Sequence, residues 1–327
     1  MMNNFFLSSK KFRGDGIILM YHRICPDESS DKNNRDDLSV SVSNFKEHLK
    51  YLKKNYSIVS INDFLFKKEQ VSKKFEIVIT FDDGYKDNLN LALPILEEFN
   101  VPATVYITTK FPEKDTSVWW YELKEFIENR FENLEFEFDN KKYSFLLNTK
   151  SKKEEGFNEI TKLLKSLDKQ KQNELLSIIT KNKIRKKYED ELMSWPDIKK
   201  ISTSSLITIG AHTHNHLSLK SLAKEDCLEE IKKSKEILEN NLKREIFHFS
   251  YPFGTKNDAD EREFKIVEEL GFKSAVTTRV SPLYKKNRFS LPRIYIDRNT
   301  KNMKLRIKLS GIYFLVYKFK EIFFKKN

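Results

Sequence analysis

The chain has 327 residues, of which 39% are hydrophobic and 13% aromatic, with only 8 Gly and 8 Pro. That is enough apolar matter for a large core, and it excludes a disordered or low-complexity chain. The net charge of +12 rests largely on scattered lysines with no zinc-finger or RNA-binding pattern, so nucleic acid is not expected as a partner, while an anionic ligand or a membrane surface stays open.

Strands and helices alternate along the chain. Residues 16–21 (GIILMY) read as a strand. Residues 42–56 carry Phe45, Leu49 and Leu52 at helical spacing. A strand follows at 76–81 (EIVITF), then a helix at 87–99 in which Pro94 marks a kink or a break. Strands at 101–108 and 205–212, a helix at 224–242 and a strand beginning at 246 come next. A helix at 261–272 ends at Gly271, and short strands at 274–278 and 291–296 complete the pattern. This alternation predicts an α/β fold with a parallel sheet, and about seven strands suggest a barrel.

Residues of about 112–197 break the rhythm with a helix at 119–131, a hairpin about Asp139-Asn140 and Lys-rich helices. They read as an insertion packed over one end of a barrel occupying 1–300. Residues 301–327 form a basic amphipathic tail, with Ile312, Leu315 or Val316, Phe319 and Phe323 at helical spacing among lysines that include Lys308, Lys318, Lys325 and Lys326. That composition suits an interfacial anchor, and packing on the barrel or an oligomer contact is the alternative. The N-terminus has no basic segment leading into a long apolar run, and no stretch reaches the roughly 18 apolar residues of a span. Cys25 and Cys227 are too few for a disulfide framework. The expectation is a cytoplasmic protein, peripheral at the inner face of the membrane if the tail binds there.

Two motifs follow strands. TFDDGY (80–85) ends a buried strand with Asp82 and Asp83, and GAHTHNH (210–216) places three of the six histidines within five residues. His212 and His216 are four apart, so one helical turn would put both on one face, as a shared metal needs, with His214 pointing elsewhere. Two histidines and one carboxylate make an open metal site, and a second carboxylate is then free to act as a base.

These motifs, with SYPFG (250–254), resemble three ordered motifs of the polysaccharide deacetylases, the NodB-homology or carbohydrate esterase family 4 proteins. The resemblance covers about 16–110 and 198–297. It implies a distorted (β/α)7-type barrel, a divalent metal, usually Zn2+, and hydrolysis of an N-acetyl group from a sugar. Carried over, Asp82 is the general base, Asp83, His212 and His216 are the metal ligands, and the Tyr251 N–H helps hold the oxyanion. Two departures stand out. Ser250 and Tyr251 precede the proline where many members carry an arginine that steers the base, and Arg293 in LPRI is the candidate substitute, a structural Arg being the alternative. No histidine follows His248, although members usually carry a late Leu-x-His as the acid. His22 at the end of the first strand resembles the acid of a permuted branch, a structural histidine being the alternative. His248 reads as structural, and His48 as solvated.

The resemblance and the expected location imply an N-acetylated sugar, lipid- or nucleotide-linked, in surface glycan assembly of the capsule or lipopolysaccharide type. A deformylase of a formamido sugar, a glycan-binding protein without turnover and a glycosyltransferase are the rival readings.

Overall fold

The computed structural model describes residues 13–29, 37–67, 74–114, 118–181 and 188–324. Its strands, in chain order, are β1 (Gly16–Tyr21), β2 (Arg23–Cys25), β3 (Ser39–Ser41), β4 (Ser57–Ile58), β5 (Glu76–Phe81), β6 (Ala103–Ile107), β7 (Leu134–Phe138), β8 (Lys141–Phe145), β9 (Ile207–Ala211), β10 (His248–Ser250), β11 (Ser274–Val276) and β12 (Ile294–Tyr295). Seven strands form one parallel sheet in the order β11-β10-β9-β6-β5-β1-β12, with β4 pairing the start of β5. The segment before β12 joins the two ends of this curled sheet. The Leu291 N–H donates to Ala275 O (3.0 Å) and the Arg293 N–H to Arg279 O (3.1 Å), while the Ile296 N–H donates to Met20 O on β1 (2.9 Å). The expected (β/α)7-type barrel, distorted and built of parallel strands, is what the chain adopts.

Strand residues alternate between two packed faces, as a pleated backbone requires. Ile17, Leu19, Ile77, Ile79, Val105 and Ile107 share one large core with the helix Val42–Asn55 (Phe45, Leu49, Leu52) and the helix Lys224–Leu242 (Ile231, Leu238). Their neighbours Ile18, Val78, Tyr106 and Val276 form a second cluster, with Ile61 and Phe64 of the helix Ile61–Phe66. Tyr106 fits because β9 has a glycine opposite it: a Cβ on Gly210 would lie 2.4 Å from the Tyr106 ring. The Pro94 break is a π-helical turn over Asn88–Ala92, after which Leu93–Glu98 continues as α-helix with the proline in its first turn.

Within the irregular region, the helix Trp119–Glu128, the antiparallel pair β7–β8 and the helices Lys150–Lys165 and Lys169–Thr180 bury a separate core that includes Trp119, Leu123, Leu134, Ile160 and Leu176. Asp139 and Asn140 both have positive φ, 48° and 59°, the geometry of a two-residue hairpin turn. The helix Trp195–Ile201 belongs to the barrel core through Ile198 and Ile201.

After β12 come the helices Asn302–Lys308 and Gly311–Phe324, with Leu305, Leu309 and Phe314 in the barrel core. Lys308 departs from the expected surface lysine. It is 4% exposed, its Nζ donates to Tyr295 O, and burial lowers its pKa to about 8 despite Asp297 nearby. Lys325 and Lys326, and the side chains of Lys318 and Phe323, lie outside the described residues. No helix among the described residues is long and apolar enough to cross a membrane.

Candidate metal centre and active site

Because the barrel strands are parallel, their C-terminal ends open on one face, and the loops there carry His22, Asp82, Asp83 and the 212–216 cluster. Two adjacent carboxylates can serve different tasks because the backbone turns between them. Asp82 still belongs to the ladder, its N–H donating to Tyr21 O at 3.2 Å. Asp83 sits at φ 74°, a left-handed conformation unusual for a non-glycine residue, and Gly84 follows at φ 81°. The two side chains therefore reach different partners.

Asp82 meets Arg293. Nη1 donates to Oδ1 at 2.7 Å and Nη2 to Oδ2 at 2.6 Å, a fork-on-carboxylate pair. The guanidinium is held in turn: its Nε donates to Thr277 O (3.0 Å), Nη1 to Thr80 Oγ1 (3.1 Å) and Nη2 to Ser250 Oγ (3.0 Å). Ser250 Oγ donates to Asp82 Oδ2 at 3.2 Å. Burial pushes the Asp82 carboxyl upward, but Arg293 outweighs it, and the group lies below the usual carboxylate range.

Asp83 meets the histidines. Its Oδ1 lies 3.3 Å from His212 Nε2 and 3.2 Å from His216 Nε2. These three buried residues offer one ligand atom each within 4.8 Å of one another. His212 Nδ1 is 2.7 Å from Ser250 O and must donate to it, which leaves a lone pair on Nε2 in the neutral ring, facing a carboxylate oxygen. Asp83 Oδ1 is buried without a hydrogen-bond partner, and so is His216 Nδ1, among the described residues. Two acceptors aimed at each other in a buried pocket call for a cation between them, so the donor set fits a divalent ion. Burial raises the Asp83 carboxyl, but His216 and His212 outweigh it and hold it well below its ordinary value.

The convergence of the histidines does not come from a helical turn. Residues 212–216 are a loop in which Thr213 and His216 have positive φ, 61° and 57°. The Thr213 side chain accepts the His216 N–H at 3.0 Å. Asn215 is pinned by Glu230 of the Lys224–Leu242 helix, through its N–H at 2.8 Å and its Nδ2 at 2.5 Å. His214 turns away to Thr109 Oγ1 (2.9 Å).

His22 is half-buried beside these groups, with Nδ1 buried and without a hydrogen-bond partner among the described residues. Its position is close enough to add to the lowering of both Asp82 and Asp83, after their larger causes. Asn88 Nδ2 fixes the backbone there by donating to His22 O at 2.9 Å.

Tyr251 requires a correction. Its N–H donates to Val276 O (3.2 Å), continuing the parallel pairing of β10 with β11, and its hydroxyl donates separately to Phe289 O (3.0 Å), so neither is left for a reacting group. Pro252 has no N–H. Gly254 donates to Pro252 O at 2.6 Å around Phe253, which has φ 59°. This strained γ-turn leaves the Phe253 N–H without a described acceptor. His48 requires another: it is fully buried, with Nδ1 3.1 Å from the Tyr21 hydroxyl and Nε2 2.6 Å from Thr300 O. His248 is structural, between Ser274 Oγ (2.8 Å) and Asn62 Oδ1 (3.0 Å).

Sequence reasoning missed the aromatic wall of the site. The His216 ring lies 4.9 Å from both Trp120 and Phe253 and 6.0 Å from Phe111, centroid to centroid. Trp120 comes from the first helix after the barrel rhythm breaks, and the only available signal was its place in a Trp-Trp pair in a chain with three tryptophans.

A family model described as polysaccharide deacetylase matches residues 69–160 and 138–275, more than half of the chain. The chain belongs to the polysaccharide deacetylase family. Among curated members, YxkH of Bacillus subtilis (strain 168) is 33% identical over 96 residues, a match spanning 28% of this chain and 32% of that protein. Among solved structures, the Streptococcus pyogenes deacetylase PplD in complex with acetate is 20% identical, covering 91% of this chain and 99% of that one at a TM-score of 0.59. A de-N-acetylase from Aggregatibacter actinomycetemcomitans is 14% identical, covering 89% and 98% at 0.57. At these identities the solved structures speak for the fold, which the deacetylase barrel here shares along almost its whole length.

Proposed function

We propose that the protein is a metal-dependent N-deacetylase of an N-acetylated sugar. The observation that carries this reading is the Asp83–His212–His216 cluster set beside a carboxylate, Asp82, that Arg293 holds ionised and oriented. Asp83, His212 and His216 would hold one ion, and the N and O donors suit Zn2+. When bound, a divalent ion there supplies Lewis-acid polarisation of the acyl carbonyl and a water of lowered pKa.

The chain's own groups do the rest. Asp82 accepts a proton at the oxygen not committed to Ser250 as water attacks the acyl carbon. Arg293 fixes the carboxylate plane so that this proton has one place to go. The Phe253 N–H is the amide of its loop left to donate to the developing oxyanion. His22 protonates the amine nitrogen as the C–N bond breaks, which an amide leaving group needs. Phe111, Trp120 and Phe253 keep bulk water away from His216 and shape the acyl pocket.

The substrate class proposed here rests on the charge balance and on an inferred location. The basic balance of +12 favours an anionic carrier, and the two cysteines are free. We place the enzyme in the cytoplasm, at the inner face of the membrane, acting on a lipid- or nucleotide-linked N-acetyl sugar of surface glycan assembly. The test is release of acetate by zinc-loaded protein from a panel of N-acetylated sugars, free, nucleotide-linked and lipid-linked. Acetate from a linked sugar is the expected result. Formate from a formamido sugar would reassign the acyl group, and release of neither acid by protein that binds the sugars would make it a glycan-binding protein.

A further inference from the structure

Eleven large hydrophobic side chains are exposed among the described residues, and seven of them fall between 303 and 319. The tail is nevertheless anchored, since Leu305, Leu309 and Phe314 sit in the barrel core. What its helix Gly311–Phe324 turns outward includes Ile312 (44% exposed), Leu315 (48%) and Val316 (48%), at positions i, i+3 and i+4 of one face. Met303 and Ile307 add exposed apolar surface from the preceding helix. The sequence from 301 to 327 holds eight Lys and Arg against Glu321 alone. Lys304 and Lys308 turn onto Asp297, at 3.1 and 3.9 Å, and with these two set aside the sequence of the tail still holds six basic residues.

We infer that this face docks on an anionic phospholipid surface. A helix of 14 residues is about 21 Å long, too short to span a bilayer core of about 30 Å and the right kind of object to lie in its interface. Charge decides the occupant. A second copy of this chain would set one lysine-rich tail against another with only Glu321 to answer it, whereas an anionic leaflet attracts every lysine. The tail also leaves the barrel at a telling place. The Ile296 N–H donates to Met20 O, and Thr300 O accepts from His48, so the chain departs beside the end of β1 that carries His22. The tail is thus tethered to the barrel beside the strand end that bears His22, and Arg306 lies over the Tyr51 ring on the helix Val42–Asn55. Docking itself does not depend on the chemistry of that site.

The experiment is flotation of the full-length protein with vesicles of phosphatidylcholine alone and of phosphatidylcholine with phosphatidylglycerol, at low and high salt, with light scattering in the absence of lipid. Wild type should float with the anionic vesicles and several-fold less with neutral ones or at high salt. The double variant Leu315→Glu/Val316→Glu, which leaves the core residues of both helices in place, should bind anionic vesicles at least about tenfold more weakly while keeping the wild-type melting temperature. Equal flotation of wild type with both lipids, or none with either, overturns the proposal without reference to any variant. A lipid-free dimer that the double variant dissolves would assign the face to a second copy instead.

Discussion

Arg293 and Asp82 meet fork to carboxylate, at 2.7 and 2.6 Å, although 211 residues separate them in the chain. The arginine is 1% exposed and belongs to the segment that joins the two ends of the sheet. The Asp82 carboxylate, the base of the proposed reaction, is thus oriented by the residue that closes the barrel, while Ser250 occupies the third-motif position that resembles the usual arginine's.

The first prediction concerns that pair. Arg293→Met leaves a buried, uncompensated carboxylate, which costs about 3–5 kcal/mol of stability. Without the guanidinium, burial dominates and raises the Asp82 pKa, so the acid limb of the kcat/KM profile should move to higher pH. Arg293→Lys keeps a charge but loses the fork, and should stay partly active with the same upward move, smaller in size. Both variants should retain full metal content. An unmoved acid limb in a folded, metal-loaded variant would show that Arg293 is only structural.

The second prediction concerns the ion. His216→Ala and Asp83→Asn should each lose stoichiometric zinc and activity, whereas Asp82→Asn should keep zinc and lose turnover by roughly 10²–10⁴-fold. Metal content by elemental analysis checks the first and single-turnover kinetics the second. Full occupancy in His216→Ala at wild-type affinity would mean that the ligand set is wrong.

Much of the frame was legible in the sequence because each barrel strand is a short apolar run and its polar motif follows at once. Asp82, Asp83, His212 and His216 were visible for that reason. The way they converge was not. Helical spacing suggested one face for His212 and His216, but the loop uses left-handed Thr213 and His216, held by Thr213 Oγ1 and Glu230, and side-chain brackets of that kind leave no periodic signal. The fate of the Tyr251 N–H depends on the register of β10 against β11, which is set by tertiary pairing. The burial of His48 depends on Tyr21 and on Thr300, the latter 252 residues away. Arg293 was a candidate only because a motif lacked its arginine, and Trp120 reaches His216 through the fold of residues 119–180, which no local pattern aims.

The third prediction separates the two roles a strand-end histidine can have. His22→Ala should lose roughly 10²–10⁴-fold on a sugar amide. Its loss should be far smaller on an activated aryl acetate, whose leaving group departs without a proton. Equal losses on both substrates would remove His22 as the acid and leave it a structural residue beside Asn88.

The fourth prediction concerns acid stability. His48 and His248 are buried and neutral, with pKa values pushed down to about 4 chiefly by burial. For His48, the Nε2–H donates to Thr300 O and Nδ1 accepts from the Tyr21 hydroxyl, a pattern only the neutral ring can satisfy. The unfolded chain binds a proton near the ordinary histidine value of about 6.5, so between pH 6.5 and 4 it holds more protons than the folded one, and stability falls as pH falls. The stabilising contribution is complete above about 6.5 and lost on passing down through about 4, at about 3 kcal/mol for each ring. His48→Gln removes one of the two titrations. Urea unfolding at pH 7 and pH 4.5, with metal content matched, should therefore show the variant weaker than wild type at pH 7 and the gap narrowing at pH 4.5. Parallel losses in the two proteins would mean that His48 is not held neutral by its burial.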